Sequence, residues 1–420
     1  MGEDLQDLLA ILRRRIERIN RKYAQGGPAS QPAARPDPDR PARYFIERWI
    51  SGQVVETPCG QHFETERLWE NHRRHGSMDI GALLELPEDL LGPLSEGEIP
   101  DCPPQRWAFL DTETTGLAGG TGTYAFLVGV GRITPEGFRI RQFFMRDYGE
   151  EASLLWALDQ HLAQFDVLVT YNGKIYDQPL LETRYRLART RPPFDRIRHL
   201  DLLYGARRLW KLRLESCRLV DLEAQILGFE REGDLPGEMI PYVYFEYLRT
   251  REAFRLVPIF HHNAMDILTL ACLTGIVPFA YRSPEQVRFT HGTDFLGLAR
   301  WVLKTGDAGR ALVLLRRAVE CGLPDDLLFR SLWEMAMLEK RLKNLPAALT
   351  LFEELAGCRN RYQLAALIEL AKHYEHVEND YARALAWTER ALEIEATPEL
   401  ERRRERLKRR LAACATPRLL

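Results

Sequence analysis

The stretch FLDTETTGLAGG, residues 109–120, decides the fold. An apolar run carries Asp111 and Glu113 two positions apart and then breaks into threonine and glycine. Residues i and i+2 of a strand project from the same face, roughly 6–7 Å apart along the backbone. Two carboxylates that close repel, and in a partly buried place one takes up a proton. A divalent cation removes the conflict, and hard oxygen ligands suit Mg²⁺ or Mn²⁺. A solvent-facing pair at a strand end is the plainer explanation of the same two letters.

Around this stretch the pattern is β-rich. RWAFLDTE, TYAFLVGVGRI and GFRIRQFFM are β-branched and aromatic runs separated by turn residues. EEASLLWALDQHLAQF then has helical spacing, DVLVTYN is another short apolar run, and DQPLLETRYRLAR predicts a helix. Three hairpin-linked strands, a helix, a strand and a helix predict an α/β domain, a mixed sheet flanked by helices. Residues 212–228, 240–250 and 263–277 read as further helices.

Two more blocks carry acids. TYNGKIYDQPLL places Asp177 just after a strand, and FHHNAMDILTLACL places Asp266 at the start of an apolar helix. The order Asp-x-Glu, Asn-Gly-x3-Asp-x-Pro, His-x3-Asp resembles the three signature blocks of the DEDD superfamily of 3′–5′ exonucleases, within the ribonuclease H-like fold. The second block is most similar to the proofreading domain of family B DNA polymerases. Together with the C-terminal repeats described below, the whole chain resembles the YprB-type ribonuclease H-like proteins of bacteria. The core resemblance covers roughly residues 106–280. It implies a nuclease in which Asp111, Glu113, Asp177 and Asp266 hold two divalent ions, Mg²⁺ or Mn²⁺. Two such ions clamp the attacking and leaving oxygens of an in-line displacement at phosphorus.

The resemblance also implies a base, either Tyr four residues before the last Asp or His five before it. Here His262 stands at minus four and His261 at minus five. On a continuous helix minus four shares a face with Asp266, which favours His262. Asn263-x-x-Asp266 also resembles a capping box, which would start the helix at 264 and leave both histidines in a loop.

The expected substrate-binding residues are Thr114, Gly116 and Leu117 after the first acids, Tyr171 and Asn172 in the second block, and Arg184. Leu117 could wedge under a terminal base or be core, Tyr171 could stack a base or line a rim, and Asn172 could bond substrate or build its turn. Arg184 opens a basic stretch: residues 184–218 hold eleven Lys and Arg against three acids, a local excess that fits a phosphate backbone. GGTGTY (119–124) lacks a Gly-Lys-Ser/Thr ending and precedes a strand, so it reads as a hairpin turn and not a nucleotide loop. Asp201 reads as a helix cap or a fifth acid near the metals.

The flanks are less specific. Leu5, Leu9, Leu12, Ile16 and Ile19 form a short heptad seam, and residues 26–43 are Pro-rich and aperiodic, so 1–43 reads as an amphipathic helix and linker. Residues 44–105 read as an extension packed on the nuclease domain of 106–285. They contain Cys59, His62, His72 and His75, which could bind zinc or be unrelated; RLWENHRRH resembles an exposed helix. From about 290 to 415 the chain reads as all-α. ALVLLRRAVE begins at Ala311, ALTLFEELAG at Ala348 and ALAWTERALE at Ala384, offsets of 37 and 36 residues. This resembles tetratricopeptide repeats, a solenoid whose concave face takes a protein partner.

Bulk composition excludes little. Net charge is −2, so only local clustering speaks to nucleic acid. Seven scattered cysteines without a CxxC pair point to a reducing, cytoplasmic setting. No apolar run reaches the roughly 18–20 residues of a membrane span, so no membrane partner is expected. Two function classes remain: an exonuclease on single-stranded DNA or RNA, and a nucleic-acid-binding adaptor built on a catalytically weak domain.

Overall fold

Seven strands form one sheet in the computed structural model, which describes residues 45–116 and 121–415. They are β1 (Gln53–Thr57), β2 (Gly60–Glu70), β3 (Trp107–Thr114), β4 (Ala125–Thr134), β5 (Gly137–Phe144), β6 (Val167–Thr170) and β7 (Arg198–Asp201). The order is β1-β2-β5-β4-β3-β6-β7. The first five in that order pair antiparallel, and β6 and β7 continue from β3 in parallel. All four residues of β6 are buried, as a parallel strand covered on both faces requires. The mixed sheet expected from the apolar runs is present. The seam and linker expected at 1–43 lie outside the described residues, and so does Leu117 of the first block.

Residues 44–105 hold the main surprise. RLWE of the stretch expected as a helix ends β2, and NHRRH turns into a two-stranded hairpin, Arg74–His75 with Met78–Asp79. Alternation along β2 was masked because His62 and Glu64, polar by type, are buried in a network with Ser153 and Arg141.

Helices α1 (Glu151–Leu162), α2 (Asp177–Leu187), α3 (Leu202–Trp210), α4 (Ile240–Thr250) and α5 (Val257–Arg282) follow. Of the helix expected over 212–228, only Leu219–Leu222 and a π-helical turn, Glu223–Leu227, form. An aromatic core joins sheet and helices: Phe126 stacks on Tyr244 at 3.8 Å between ring centres, and Phe144 meets Phe260 at 5.1 Å. Burying each such ring contributes roughly 1.5–3 kcal/mol. Close approach of α5 to the sheet needs glycine: a Cβ on Gly131 would lie 2.5 Å from Ile267.

α5, with the turn before it, is long and apolar enough to cross a membrane, contrary to the sequence reading. Yet 72 % of its most apolar stretch is buried within the protein, the behaviour of a core helix. It also begins at Val257, so the capping box at Asn263 does not form, and both histidines lie inside the helix.

The chain packs as two compact units. One comprises the described residues up to Leu202 with Arg218–Gly275; the other comprises Leu203–Cys217 with the chain from Ile276 onward. The division by packing falls between Gly275 and Ile276, within the span of α5. The second unit contains α6 (Gly292–Lys304), α7 (Ala308–Glu320), α8 (Asp325–Arg341), α9 (Leu345–Gly357), α10 (Gln363–His376), α11 (Tyr381–Ile394) and α12 (Pro398–Ala415), each packed on the next. Ala311, Ala348 and Ala384 are all buried. The turns repeat in step: Gly306, Lys343 and Asn379 have φ of 90°, 64° and 57°, at the same offsets of 37 and 36 residues. None of Cys59, Cys102, Cys217, Cys272, Cys321 and Cys358 forms a disulfide.

Candidate active site

Strand β3 ends on the first two acids, with a register irregularity between Glu113 and Thr114. β6 runs parallel beside it, and the chain leaving β6 passes through Asn172, at φ 66°, to Asp177, the first residue of α2. Asp201 fixes that turn by accepting from the backbone N–H of Asn172 at 2.8 Å and of Lys174 at 3.1 Å. It thereby braces the loop that delivers Asp177. Thr112 donates from β3 to Asp177 Oδ1, stitching the first block to the second.

A cleft of about 790 Å³ opens here, and Asp111, Thr114, Gly116, Tyr171, Asn172 and Asp177 line it. Thr114 also donates to the Gly116 carbonyl at 2.8 Å, closing the start of the turn. Ile175 and Tyr176, more than half exposed, stand on its rim.

The acids feel one another. Burial, then the charges of Asp266 and Asp177, raise the Asp111 carboxyl well above its ordinary range, against a lowering bond from Asn263. Burial, then Asp111, Asp266, Asp177 and Asp234, raise Glu113 likewise. Asp177 is pushed up to about 6, by burial first, while Thr112 opposes the shift. Four carboxylates from three distant segments thus share one electrostatic field. Their donor chemistry fits a hard divalent cation, whose charge would relieve this repulsion. As the side chains stand, no three His, Cys, Asp or Glu among the described residues are gathered to hold an ion. Neighbouring donors hold them instead: Asn263 on Asp111, Thr112 on Asp177 and Arg231 on Asp266.

His262 and His261 separate cleanly. His261 is exposed. His262 is mostly buried; its Nδ1–H donates to Asp234 at 2.9 Å, and its Nε2 lies 3.7 Å from Asp266 Oδ2. Burial pulls its pKa down, but the Asp234 bond and the charges of Asp266 and Asp234 outweigh it and raise the group. A carboxylate on Nδ1 fixes the tautomer, so the neutral ring keeps Nε2 as a proton acceptor.

Arg231 and Asp234 were not foreseen. The Arg231 guanidinium, 2 % exposed, donates to Asp266 at 2.6 Å, to Asp234 at 3.2 Å and to buried Glu223. Both come from the loop REGD (231–234), which carries no periodic signal; only packing brings it to the acids.

Arg184 requires a correction. It is 4 % exposed, pairs with Glu151, donates to the Thr121 carbonyl at 2.8 Å and lies over the Tyr124 ring. It braces a cleft wall from behind and does not face substrate. The basic stretch is also largely neutralised within the fold, with Arg186 on Glu182, Arg191 on Asp195, Arg196 on Asp159, Arg213 on Asp294 and Arg218 on Asp221. Cys59, His62, His72 and His75 do not converge: His62 bonds Glu64, His75 bonds Glu223, His72 and Cys59 are exposed.

Comparison with known proteins agrees with this geometry. Residues 108–277 match the RNase_H superfamily. The chain is similar to the uncharacterized protein YprB of Bacillus subtilis (strain 168), 34 % identical over 319 residues, which is 73 % of this chain and 75 % of that protein.

Proposed function

Because the chain belongs to the family of YprB, and its residues 108–277 form a ribonuclease H superfamily domain, we propose that it is a metal-dependent 3′–5′ exonuclease acting on single-stranded nucleic acid. The observation that carries this reading is the elevation of Asp111, Glu113 and Asp177 by burial, to which the charges of Asp266 and Asp177 add at Asp111, and those of Asp111, Asp266 and Asp177 at Glu113. These four residues would hold two Mg²⁺ or Mn²⁺ ions, which when bound supply Lewis-acid stabilisation at the phosphodiester and a more acidic bound water. His262 Nε2 accepts the proton released by the attacking water, and Asp234 keeps the ring in the required tautomer. Thr114, Gly116 and Asn172 offer polar and backbone contacts to the terminal nucleotide, and Tyr171 a ring for its base. Tetratricopeptide-like packing in the second unit supports a protein partner on the helices from Gly292 onward.

One observation favours the rival reading, a binding adaptor with a weak catalytic domain: Arg231 already engages Asp266 Oδ1. End-labelled DNA and RNA oligonucleotides incubated with Mn²⁺ separate the two. Release of mononucleotides by the wild type and its loss in Asp111→Ala support the nuclease. Binding without release, unchanged by Asp111→Ala, supports the adaptor and ends the nuclease reading.

A further inference from the structure

Asp111, Gly129 and Gln142 occupy one row across the three central strands: Asp111 faces Gly129 between β3 and β4, and Gly129 faces Gln142 between β4 and β5. Directly opposed residues of antiparallel strands present their side chains to the same face. The row therefore reads carboxylate, gap, amide. α5 fills the gap with one side chain, Asn263, which is fully buried. Asn263 Nδ2 donates to Asp111 Oδ2 at 2.8 Å and to the Asp111 carbonyl at 3.2 Å. Its Oδ1 accepts from Gln142 Nε2 at 2.8 Å, and the same Nε2 donates to the Phe260 carbonyl at 2.9 Å. Gln142 thereby fixes which end of the Asn263 amide faces Asp111.

Glycine is what admits this bridge. A Cβ at 129 would lie 2.2 Å from Asn263 Oδ1 and 2.3 Å from Ile267 Cδ1, so any larger residue displaces the helix side chains above it. Asn263 also precedes Asp266 by three positions on α5, so the two share a helix face. One turn of helix thus carries an acid of the site and the amide that holds another acid from the strand beneath it.

The chemistry of the donor matters. Holding a carboxylate with Arg or Lys would cancel its charge, as Arg231 does at Asp266. A neutral amide fixes the rotamer and leaves the full negative charge for a cation. Buried partners of this kind, which orient a ligand without touching the ion, typically change metal affinity by about 10–100-fold when removed.

We infer that Asn263 is a positioning residue that sets Asp111 for cation binding, with Gly129 supplying its room and Gln142 its orientation. This rests on the nuclease reading above, in which Asp111 is a cation ligand.

The test measures Mn²⁺ binding by electron paramagnetic resonance on the full chain, beside thermal unfolding and oligonucleotide hydrolysis. Asn263→Leu keeps the branched shape in a somewhat larger side chain and deletes all three of its hydrogen bonds. It is expected to weaken Mn²⁺ binding by about tenfold or more. Hydrolysis should fall at low Mn²⁺ and recover as Mn²⁺ is raised, with KM for the oligonucleotide unchanged, a recovery that general damage to the fold would not give. Gly129→Ala strikes the same bridge from the strand side, should weaken Mn²⁺ binding likewise, and decides the matter if Asn263→Leu does not fold. A folded variant that binds Mn²⁺ as the wild type does overturns this inference and leaves the nuclease reading standing. A wild-type protein that neither binds Mn²⁺ nor hydrolyses oligonucleotides overturns both.

Discussion

Arg231 holds Asp266 through a 2.6 Å hydrogen bond from a guanidinium that is almost completely buried. The same group reaches Asp234 and Glu223, so one cation sits among three carboxylates. Its removal leaves acids buried without their counter-charge, although Glu223 keeps His75 and Thr269. Arg231→Met should therefore cost about 3–5 kcal/mol of unfolding free energy, measured by urea titration. Arg231→Lys, which cannot fork to three partners, should recover only part of it. A loss below about 0.5 kcal/mol, the size of an ordinary surface change, would mean that the cluster does not support the fold as described.

The two adjacent histidines should behave differently. His262 is oriented by Asp234, and His261 is exposed. With saturating Mn²⁺, His262→Ala should lower kcat by about 10²–10⁴-fold, the usual contribution of a positioned base. His261→Ala should change it by less than about threefold, since no part of this base contribution passes through an exposed ring. Asp234→Asn should fall between, because the ring stays in place with its tautomer no longer enforced. Equal losses in the two histidine variants would remove His262 from the proton path.

These assignments divide by how much of their signal is local. Asp111, Glu113, Asp177 and Asp266 were legible because residue type and spacing carry their chemistry, and the strand and helix periods place them. Arg231 and Asp234 were not, because a loop reaches the site through tertiary packing alone. Arg184 misled for a related reason: charge in a sequence says nothing of burial, and a guanidinium matched to Glu151 goes inside. At Asn263 a local cap pattern lost to a long-range bond, since its amide is used on Asp111 and α5 starts six residues earlier, at Val257. β2 was hidden by polar residues, His62 and Glu64, that satisfy each other in the interior. The helical repeats were legible from their period, and the left-handed turns at Gly306, Lys343 and Asn379 keep that period in the backbone.

Arg184 supports the cleft wall by holding the carbonyls of Thr121 and Thr123 and pairing with Glu151. Arg184→Ala leaves a partly buried carboxylate unpaired and should cost about 3–5 kcal/mol in urea unfolding. Arg184→Lys should not restore the wild-type value, because two parallel bonds to Glu151 need the planar fork. Oligonucleotide affinity should lose none of its salt dependence in either variant, because a group turned inward releases no counterions. A shallower salt slope in Arg184→Ala, which removes the charge, would return this residue to the substrate face.

The carboxylate site should favour the folded, cation-free protein more strongly as pH falls from 7 to 5. Asp177 has its folded pKa raised from 3.8 to about 6, by burial first. A carboxyl raised in this way binds its proton more readily folded than unfolded. Its favourable contribution is complete below 3.8 and is lost as pH rises through about 6. That interval corresponds to about 3 kcal/mol for this group alone. Asp111 and Glu113 shift in the same direction and add to the effect. Acids held below their ordinary range act oppositely: Glu64, Glu223 and Asp234 keep their contribution until pH falls through their lowered values. They therefore oppose the gain only at more acidic pH. His161 and His199, pulled down to about 4 by burial, lose stability as pH falls below 6.5 and oppose it across the same window, so the site's part is read against Asp177→Asn. Measured at pH 7, 6 and 5 in a chelating buffer, the urea midpoint of the wild type should climb relative to that of Asp177→Asn. Saturating Mn²⁺ should abolish or reverse it, since an ion that binds the ionised acids stabilises most where they are deprotonated. No climb relative to Asp177→Asn in the chelating buffer, or one that Mn²⁺ leaves untouched, would show that these carboxylates do not share the field that the whole site depends on.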